Sequence, residues 1–227
     1  MSDLLGSLMY LEWVDPRKVC PPVWGGRLET DSQKAESQLL GASMLVVGGN
    51  IQPVYLSRRF GSPEQDPAGG YQFDLVTGLR RLRACIANRQ LLFAIVRTWE
   101  SRQEQFLYAV HENRSSGDSL SSYEFGRMCH LAIQEGIFHS WVDLADALGM
   151  IGAEVRQEMF LSRLPKKILS AFPDPSELRV QWLVHLLGAY QLDEIGLCRR
   201  VDQIKANGEK LSARQIYQRL TDLRLVP

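Results

Sequence analysis

The sequence predicts an α+β protein in which a mixed strand-and-helix half precedes an all-helical half. Two observations predict it. Up to about residue 118, apolar residues switch between the two-residue period of strands and the three-and-four spacing of helices; beyond Ser115-Ser116-Gly117-Asp118 only the helical spacing remains. The composition is globular as well: 227 residues, 45% hydrophobic and 23% charged, enough to bury a core without disulfides or a structural metal. That length predicts one or two domains.

Taken in order, Pro16, Pro21, Pro22, Gly25 and Gly26 mark the first forty residues as loop or extended chain, here read as an N-terminal arm (1–40) that packs on the protein or docks on a partner. Residues 33–46 carry a helical pattern, ended by Gly48-Gly49-Asn50, which supplies positions tolerant of positive φ. Residues 52–57 read as a strand, 61–70 as a turn rich in Pro and Gly, and 71–76 as a second strand. Thr77-Gly78 opens a helix over 79–88 with Leu82, Cys85 and Ile86 at helical spacing. Residues 91–98 form an apolar, β-rich run, and 104–111 a helix with Phe106, Leu107 and Val110 on its apolar face. The expected divisions are 41–118 for the mixed domain, 119–190 for the helical one, and 191–227 for a short helical segment. That last segment, with Leu197, Val201, Ile216 and Leu223 among its apolar residues, is free to pack on the domain or on another subunit.

Lys+Arg and Asp+Glu are 26 each, which excludes a strongly basic nucleic-acid coat protein but leaves room for a local basic face. Four dispersed cysteines and four dispersed histidines contain no C-x-x-C pair and no metal-ligand spacing, a pattern suited to reduced cytosolic thiols. The N-terminus lacks the basic flank and apolar stretch of a signal peptide, and no run reaches the roughly 18 apolar residues of a spanning helix. The expectation is a soluble intracellular protein without a membrane partner.

Residues 141–164 carry the spacing of a helix-turn-helix. Ala145 is small where two helices cross, Gly149 permits the turn, and Val155 plugs the shared core beside Leu144 and Leu148. An ordinary helical hairpin has the same pattern. The second helix, 153–163, would be the reading helix, exposing Glu154, Arg156 and Gln157, with Ser162 at the margin of that face. Glu154 and Glu158 repel phosphates, although a carboxylate can accept from cytosine N4. Arg163, Lys166 and Lys167, just beyond, suit contacts to the DNA backbone.

In the first half, Thr77-Gly78-Leu79-Arg80-Arg81-Leu82-Arg83-Ala84 places two arginines in the first turn of a helix, where the helix dipole disfavours cations. A bound anion reverses that argument, because free backbone N–H groups and guanidinium forks then converge on phosphates. The plain alternative is a solvated basic face. Glu112-Asn113, near a helix end, offers oxygen ligands for Mg²⁺ or simply a solvated cap. Gly49-Asn50-Ile51-Gln52-Pro53 is a tight loop whose glycine admits close approach and whose Gln52 amide can pair with a base.

In this order, Gly49-x-x-Gln52-Pro53, Gly78-x-Arg80-Arg81-x-Arg83-Ala84, Glu112-Asn113 and the helix-turn-helix resemble the ParB family of DNA partition proteins. The likeness spans about 41–190. It is closest to the branch found on low-copy plasmids, secondary chromosomes and integrative elements, which is similar also at Ser122-Tyr123-Glu124-x-Gly126 and Ala171-Phe172-Pro173-x-Pro175. The resemblance implies a ParB/sulfiredoxin-like N-terminal domain followed by an all-α helix-turn-helix domain, forming a CTP-dependent clamp on double-stranded DNA at a centromere-like site. By position, Gly49, Gln52, Pro53, Gly78, Arg80, Arg81 and Arg83 would hold the nucleotide, and Glu112 and Asn113 the Mg²⁺. Arg156, Gln157, Arg163, Lys166 and Lys167 would face DNA. The implied partners are a ParA-type ATPase and a second copy of the chain on DNA, in a cytoplasmic, nucleoid- or plasmid-associated setting.

Three departures accompany the likeness. The family string G-E-R-R has Leu79 at its acidic position, and an apolar side chain neither orients water nor assists a metal, so CTP hydrolysis is expected to be weak or absent. Ser116 stands at the arginine position of E-N-x-x-R, with Arg114 directly after Asn113, and the C-terminal region is shorter than in many relatives. A second reading is therefore a transcriptional or maintenance regulator of a mobile element with a degenerate nucleotide site. Enzymes are the third. Sulfiredoxin's catalytic cysteine position is Leu79 here, and a ParB-like nuclease would have only Glu112 and Asp74 near the motifs.

Overall fold

The structure, a computed structural model, describes residues 9–22, 24–25, 31–59, 70–115 and 120–222. The chain divides into two units, residues 1–25 with 31–119 and residues 26–30 with 120–227.

The first unit opens with β1 (Met9–Val14), whose alternation places Val14 in the core. Asp15 then caps a single 3₁₀ turn begun by Pro16, its Oδ1 accepting from Arg17 N at 3.0 Å, before β2 (Val19–Cys20). Next come α1 (Asp31–Val47), β3 (Val54–Arg58), β4 (Phe73–Thr77), α2 (Leu79–Asn88), β5 (Leu92–Arg97) and α3 (Arg102–Ser115). The strands form one mixed sheet in the order β1-β5-β3-β4-β2. Pairing is antiparallel for β1 with β5 and β3 with β4, and parallel for β3 with β5 and β2 with β4. Val54, Leu56, Leu75, Leu92 and Ala94 bury one sheet face together with Leu82 and Cys85 of α2 and Met44 of α1. Trp24, buried, meets Phe106 of α3 edge-on at 5.9 Å.

Most expected elements are present within a few residues. The first forty residues differ: Met9–Val14 and Val19–Cys20 are strands of the sheet, and α1 runs across the expected boundary at 40/41. The prolines flank these strands and do not interrupt them. The expected turn at 61–69, Ser116 and Arg27 lie outside the described residues, as do residues 1–8.

The second unit holds α4 (Ser122–Gln134), α5 (Trp141–Leu148), α6 (Gly152–Ser162), α7 (Lys166–Leu169), α8 (Leu183–Leu192), α9 (Glu194–Ala206) and α10 (Ala213–Thr221). Local sequence fixes several of their starts. Ser121 and Glu124 close a reciprocal capping box on α4, Ser212 and Gln215 do the same on α10, and Ser140 Oγ accepts from Asp143 N on α5. Gly149, at φ 62, ends α5 in the left-handed region. The segment 191–222 is not a separate appendage. Leu197, Val201, Ile216 and Leu220 join Leu161, Ile168 and Leu186 in the buried core of this unit. Leu223 lies outside the described residues. No helix among the described residues is long and apolar enough to cross a membrane.

The tightest contact in this unit is between α4 and α6. A Cβ on Gly126 would stand 1.9 Å from Glu158 O and 2.3 Å from its carbonyl carbon, so the helices touch backbone to side-chain-free backbone. Gly126→Ala gains helix propensity but forces the helices apart, and its expected net cost is about 1–3 kcal/mol. Chemical denaturation of the variant against the unaltered chain checks this; an unchanged midpoint would contradict it.

Candidate functional site

The start of α2 is set by Gly78, which lies in the left-handed region at φ 99. An added Cβ would fall 2.5 Å from Val54 Cγ1, so no other residue fits between β4 and α2 without displacing β3. No side chain caps this helix, and its first-turn N–H groups point out of the N-terminus. One residue earlier, the buried Thr77 hydroxyl has no hydrogen-bond partner in the protein. Backbone donors, an orphaned hydroxyl and the helix dipole thus share one end of α2.

The arginines that follow differ in role. Arg81 is largely buried, with 15% side-chain exposure, and its Nη1 donates to Gln52 O at 3.1 Å and Pro53 O at 2.6 Å. Its Nη2 pairs with Glu112 Oε1 at 3.5 Å. Burial pushes the guanidinium below its ordinary pKa, while Glu112 acts to raise it. Arg80 reaches the other way, pairing with Glu36 of α1 at 3.2 Å. Arg83 lies exposed further along the helix. Leu79 packs partly buried against the sheet core.

The loop ahead of β3 is held by Asn50, only 3% exposed. Its Nδ2 donates to Gln52 O at 2.9 Å and Phe93 O at 2.7 Å, and its Oδ1 accepts from Phe93 N at 2.8 Å. Gln52 uses its carbonyl in this network while its side chain remains exposed. The structure therefore brings together Gln52, Pro53, Gly78, Arg81 and Glu112, five of the residues singled out from sequence. Asn113 follows Glu112 on α3, its Nδ2 turned back to Ala109 O at 2.7 Å. Among the described residues, no group of three or more His, Cys, Asp or Glu is placed to hold a metal ion.

An aromatic cluster beside Glu112 has no counterpart in the sequence reading. Tyr108 of α3 lies with its ring 4.8 Å from Tyr55 of β3 and 5.1 Å from Trp99. Arg97, ion-paired with Glu104, stacks 4.3 Å over Trp99. Burial, then a hydrogen bond with Tyr55, and the nearby charge of Glu112 hold the Tyr108 hydroxyl far above its ordinary pKa. Alternation along β3 was the available signal for Tyr55; nothing in the spacing linked it to residues 40 or more positions away.

In the second unit, α5 and α6 meet through the buried Leu144, Ala145 and Val155, as the spacing requires, while Leu148 is half-buried. Glu154, Arg156 and Gln157 are exposed on α6. Arg156 lies 5.7 Å over the Trp141 ring and 5.4 Å over Phe160, which holds its guanidinium close to the helix surface. Arg163 and Lys166 are exposed, whereas Lys167 is tied to Asp202 of α9 at 2.5 Å. His130 of α4 is kept below the ordinary histidine pKa, first by burial and second by the charge of Arg163.

No model of a known protein family matches the chain, and no curated protein does. Among solved structures, the chain is similar to the C-terminally truncated chromosome-partitioning protein ParB of Caulobacter crescentus complexed to the centromeric parS site. The identity is 16%, with 91% of this chain and 96% of that chain covered and a TM-score of 0.41. The same protein complexed with CTP-γ-S gives 16% identity, 86% and 98% coverage and a TM-score of 0.35. A Pnob8-like ParB N-domain gives 11% identity, 97% and 92% coverage and a TM-score of 0.48. These are similarities of fold.

Asn50→Ala leaves Phe93 N–H and C=O without their partner and frees the loop before β3, at about 1–3 kcal/mol for each orphaned group. The expected result is a destabilisation of about 2–4 kcal/mol, read by chemical denaturation. A loss below measurement error would show that the loop holds itself in place.

Proposed function

We propose that the chain is a ParB-like DNA-binding protein of partition or maintenance, whose first unit holds CTP at the start of α2 and whose helix-turn-helix unit engages double-stranded DNA at a centromere-like site. The observation that carries this reading is the glycine-gated, uncapped α2 N-terminus with Arg80 and Arg81 in its first turn. The ordered motifs quoted above support it.

The two arginines have different tasks in this reading. The Arg80–Glu36 pair is partly exposed, at 26% and 58%, and such pairs contribute only ~0–1 kcal/mol, so this pair is a weak obstacle to Arg80 turning toward a phosphate. Arg81 is already held by two carbonyls and a carboxylate; it positions the Gln52-Pro53 loop against the helix start and adds its charge to the site. Gly49 and Gln52 would line the nucleoside side, with Arg83 at the outer margin.

Glu112 and Asn113 supply a carboxylate and an amide oxygen, a donor set that fits Mg²⁺ when water and phosphate complete the shell. When bound, the metal would neutralise phosphate charge. Leu79, packed toward the core, contributes no acid or base, so hydrolysis would be weak or absent. In the second unit Arg163 and Lys166 would contact phosphates, and Gln157 and Arg156 the groove, with Lys167 joining only on release from Asp202. A homodimer on DNA, closing as a clamp, and a ParA-type ATPase partner complete the proposal, placing the protein in the cytoplasm on nucleoid or plasmid DNA. The apolar Leu79 at the family's acidic position also favours a second reading, a regulator of a mobile element with a degenerate nucleotide site.

Calorimetric titration with CTP and Mg²⁺, with ATP, GTP and UTP as controls, separates the two readings. Selective CTP binding is expected, and no binding of any nucleotide would favour the regulator. Arg80→Ala should lose a charge-assisted contact of about 1.5–3 kcal/mol, a decrease in CTP affinity of roughly tenfold or more, with little change in folding stability. Unchanged affinity would remove Arg80 from the site.

For DNA, Arg163→Ala with Lys166→Ala should weaken binding across sequences and flatten its salt dependence, measured by fluorescence anisotropy over a salt series. A loss confined to one sequence would place these residues at base edges instead.

A further inference from the structure

Strand β1 lies at one edge of the sheet, paired only with β5, and residues 9–14 make no other backbone hydrogen bonds among those described. Met9, Leu11 and Trp13 project from its open face at 62%, 61% and 53% exposure. The register sets Trp13 opposite Phe93 and Leu11 opposite Ile95, so this apolar face continues onto β5, with the Trp13 and Phe93 rings 4.8 Å apart. Natural edge strands are usually blunted by lysine, proline or a bulge. The six residues of β1 contain none of these, and their only charge is Glu12.

We propose that β1 pairs antiparallel with β1 of a second copy of this chain across a two-fold axis, joining the two sheets into one. The proposal rests on the fold of the first unit and not on the nucleotide or DNA reading. The argument for a second copy is that the strand is complementary to itself in one register. Keeping the apolar faces continuous requires that odd-numbered positions face odd-numbered positions.

Centred on Leu11, the pairing sets leucine against leucine and Met9 against the second copy's Trp13, a favourable thioether–aromatic contact. On the other face it sets Tyr10 against the second copy's Glu12. Tyr10 Oη already accepts from Arg58 at 2.6 Å, so its proton is available to donate. The Glu12 side chain is 39% exposed beside Arg58, and its carboxylate would accept it. Centring on even positions fails: at Glu12 it opposes two carboxylates, and at Tyr10 it leaves Trp13 beyond the pair. The contact area is that of one short strand and three apolar side chains per copy, less than the ~800 Å² per partner of a stable interface, so the dimer is reversible and concentration-dependent.

Sedimentation velocity of the full chain, without nucleotide or DNA, tests this over a concentration series. The unaltered chain is expected to associate as concentration rises. Leu11→Lys and Leu11→Glu, each on an exposed position, should separately weaken association by about tenfold or more, because like charges then meet on the axis. An equimolar mixture of the two variants should restore it. A chain that stays monomeric to millimolar concentration, single variants that associate as the unaltered chain does, or a mixture that fails to recover would each overturn the proposal.

Disulfide trapping gives a second reading of the register. Directly opposed residues have Cα atoms ~4.5–5.5 Å apart, within disulfide reach, so Leu11→Cys should form a covalent dimer under mild oxidation and Tyr10→Cys should not. Equal trapping of both, or of neither, would overturn the register.

Discussion

One guanidinium holds the first unit's candidate site in shape. Arg81 leaves α2, takes the carbonyls of Gln52 and Pro53 from the loop before β3, and meets Glu112 on α3. Two segments separated in sequence are thereby fixed to the helix start. Burial costs the charge some of its solvation, and the two carbonyls and the carboxylate offset that cost. Gly78 enforces the same geometry from the other side, because the space a Cβ would need is filled by Val54. Asn50 then fastens the loop to β5 through two hydrogen bonds with Phe93, so the loop cannot drift away from β5 without breaking both.

How much of this was readable from sequence depended on the range of the interaction. The start and end of α2 were plain, because a strand running into Thr-Gly-x-Arg-Arg is a local signal. The α5–α6 crossing was equally plain, since Ala145, Gly149 and Val155 act within a few turns of one another. Strand β1 was missed for a physical reason: Met9, Leu11 and Trp13 are as apolar as Tyr10 and Val14, so the two faces lack the contrast that marks a half-buried strand. Asn50 was read as a helix stop, yet its principal partner is Phe93, 43 residues on. The cluster of Tyr55, Arg97, Trp99 and Tyr108 exists only once β3, β5 and α3 are assembled.

In the second unit, the basic residues separate into engaged and available ones. Lys167 is held by Asp202, and Arg156 is spread over two aromatic rings, whereas Arg163 and Lys166 face solvent. A chain with zero net charge has no general attraction for nucleic acid, so under the proposed reading DNA binding depends on locally placed cations such as these and on the helix they flank. Gly126 contributes indirectly. By letting α4 touch the backbone of α6, it fixes the position of the proposed reading helix within its unit.

Under the proposed reading, Leu79 decides what kind of nucleotide site the start of α2 can be. The helix start offers anion donors, but Leu79, partly buried against the sheet core, supplies neither acid nor base. The two carboxylates paired to the adjacent arginines are both committed, Glu36 to Arg80 and Glu112 to Arg81. A phosphate that draws Arg80 away releases Glu36 on the exposed side of α2. Were Glu112 to hold a metal, Arg81 would remain on its two carbonyls and the loop would keep its place. Under the proposed reading, nucleotide and metal therefore rearrange charges without dismantling the site, and without creating a positioned base at the helix start. Such a site favours binding over turnover, and the lifetime of its bound state is then set by nucleotide release.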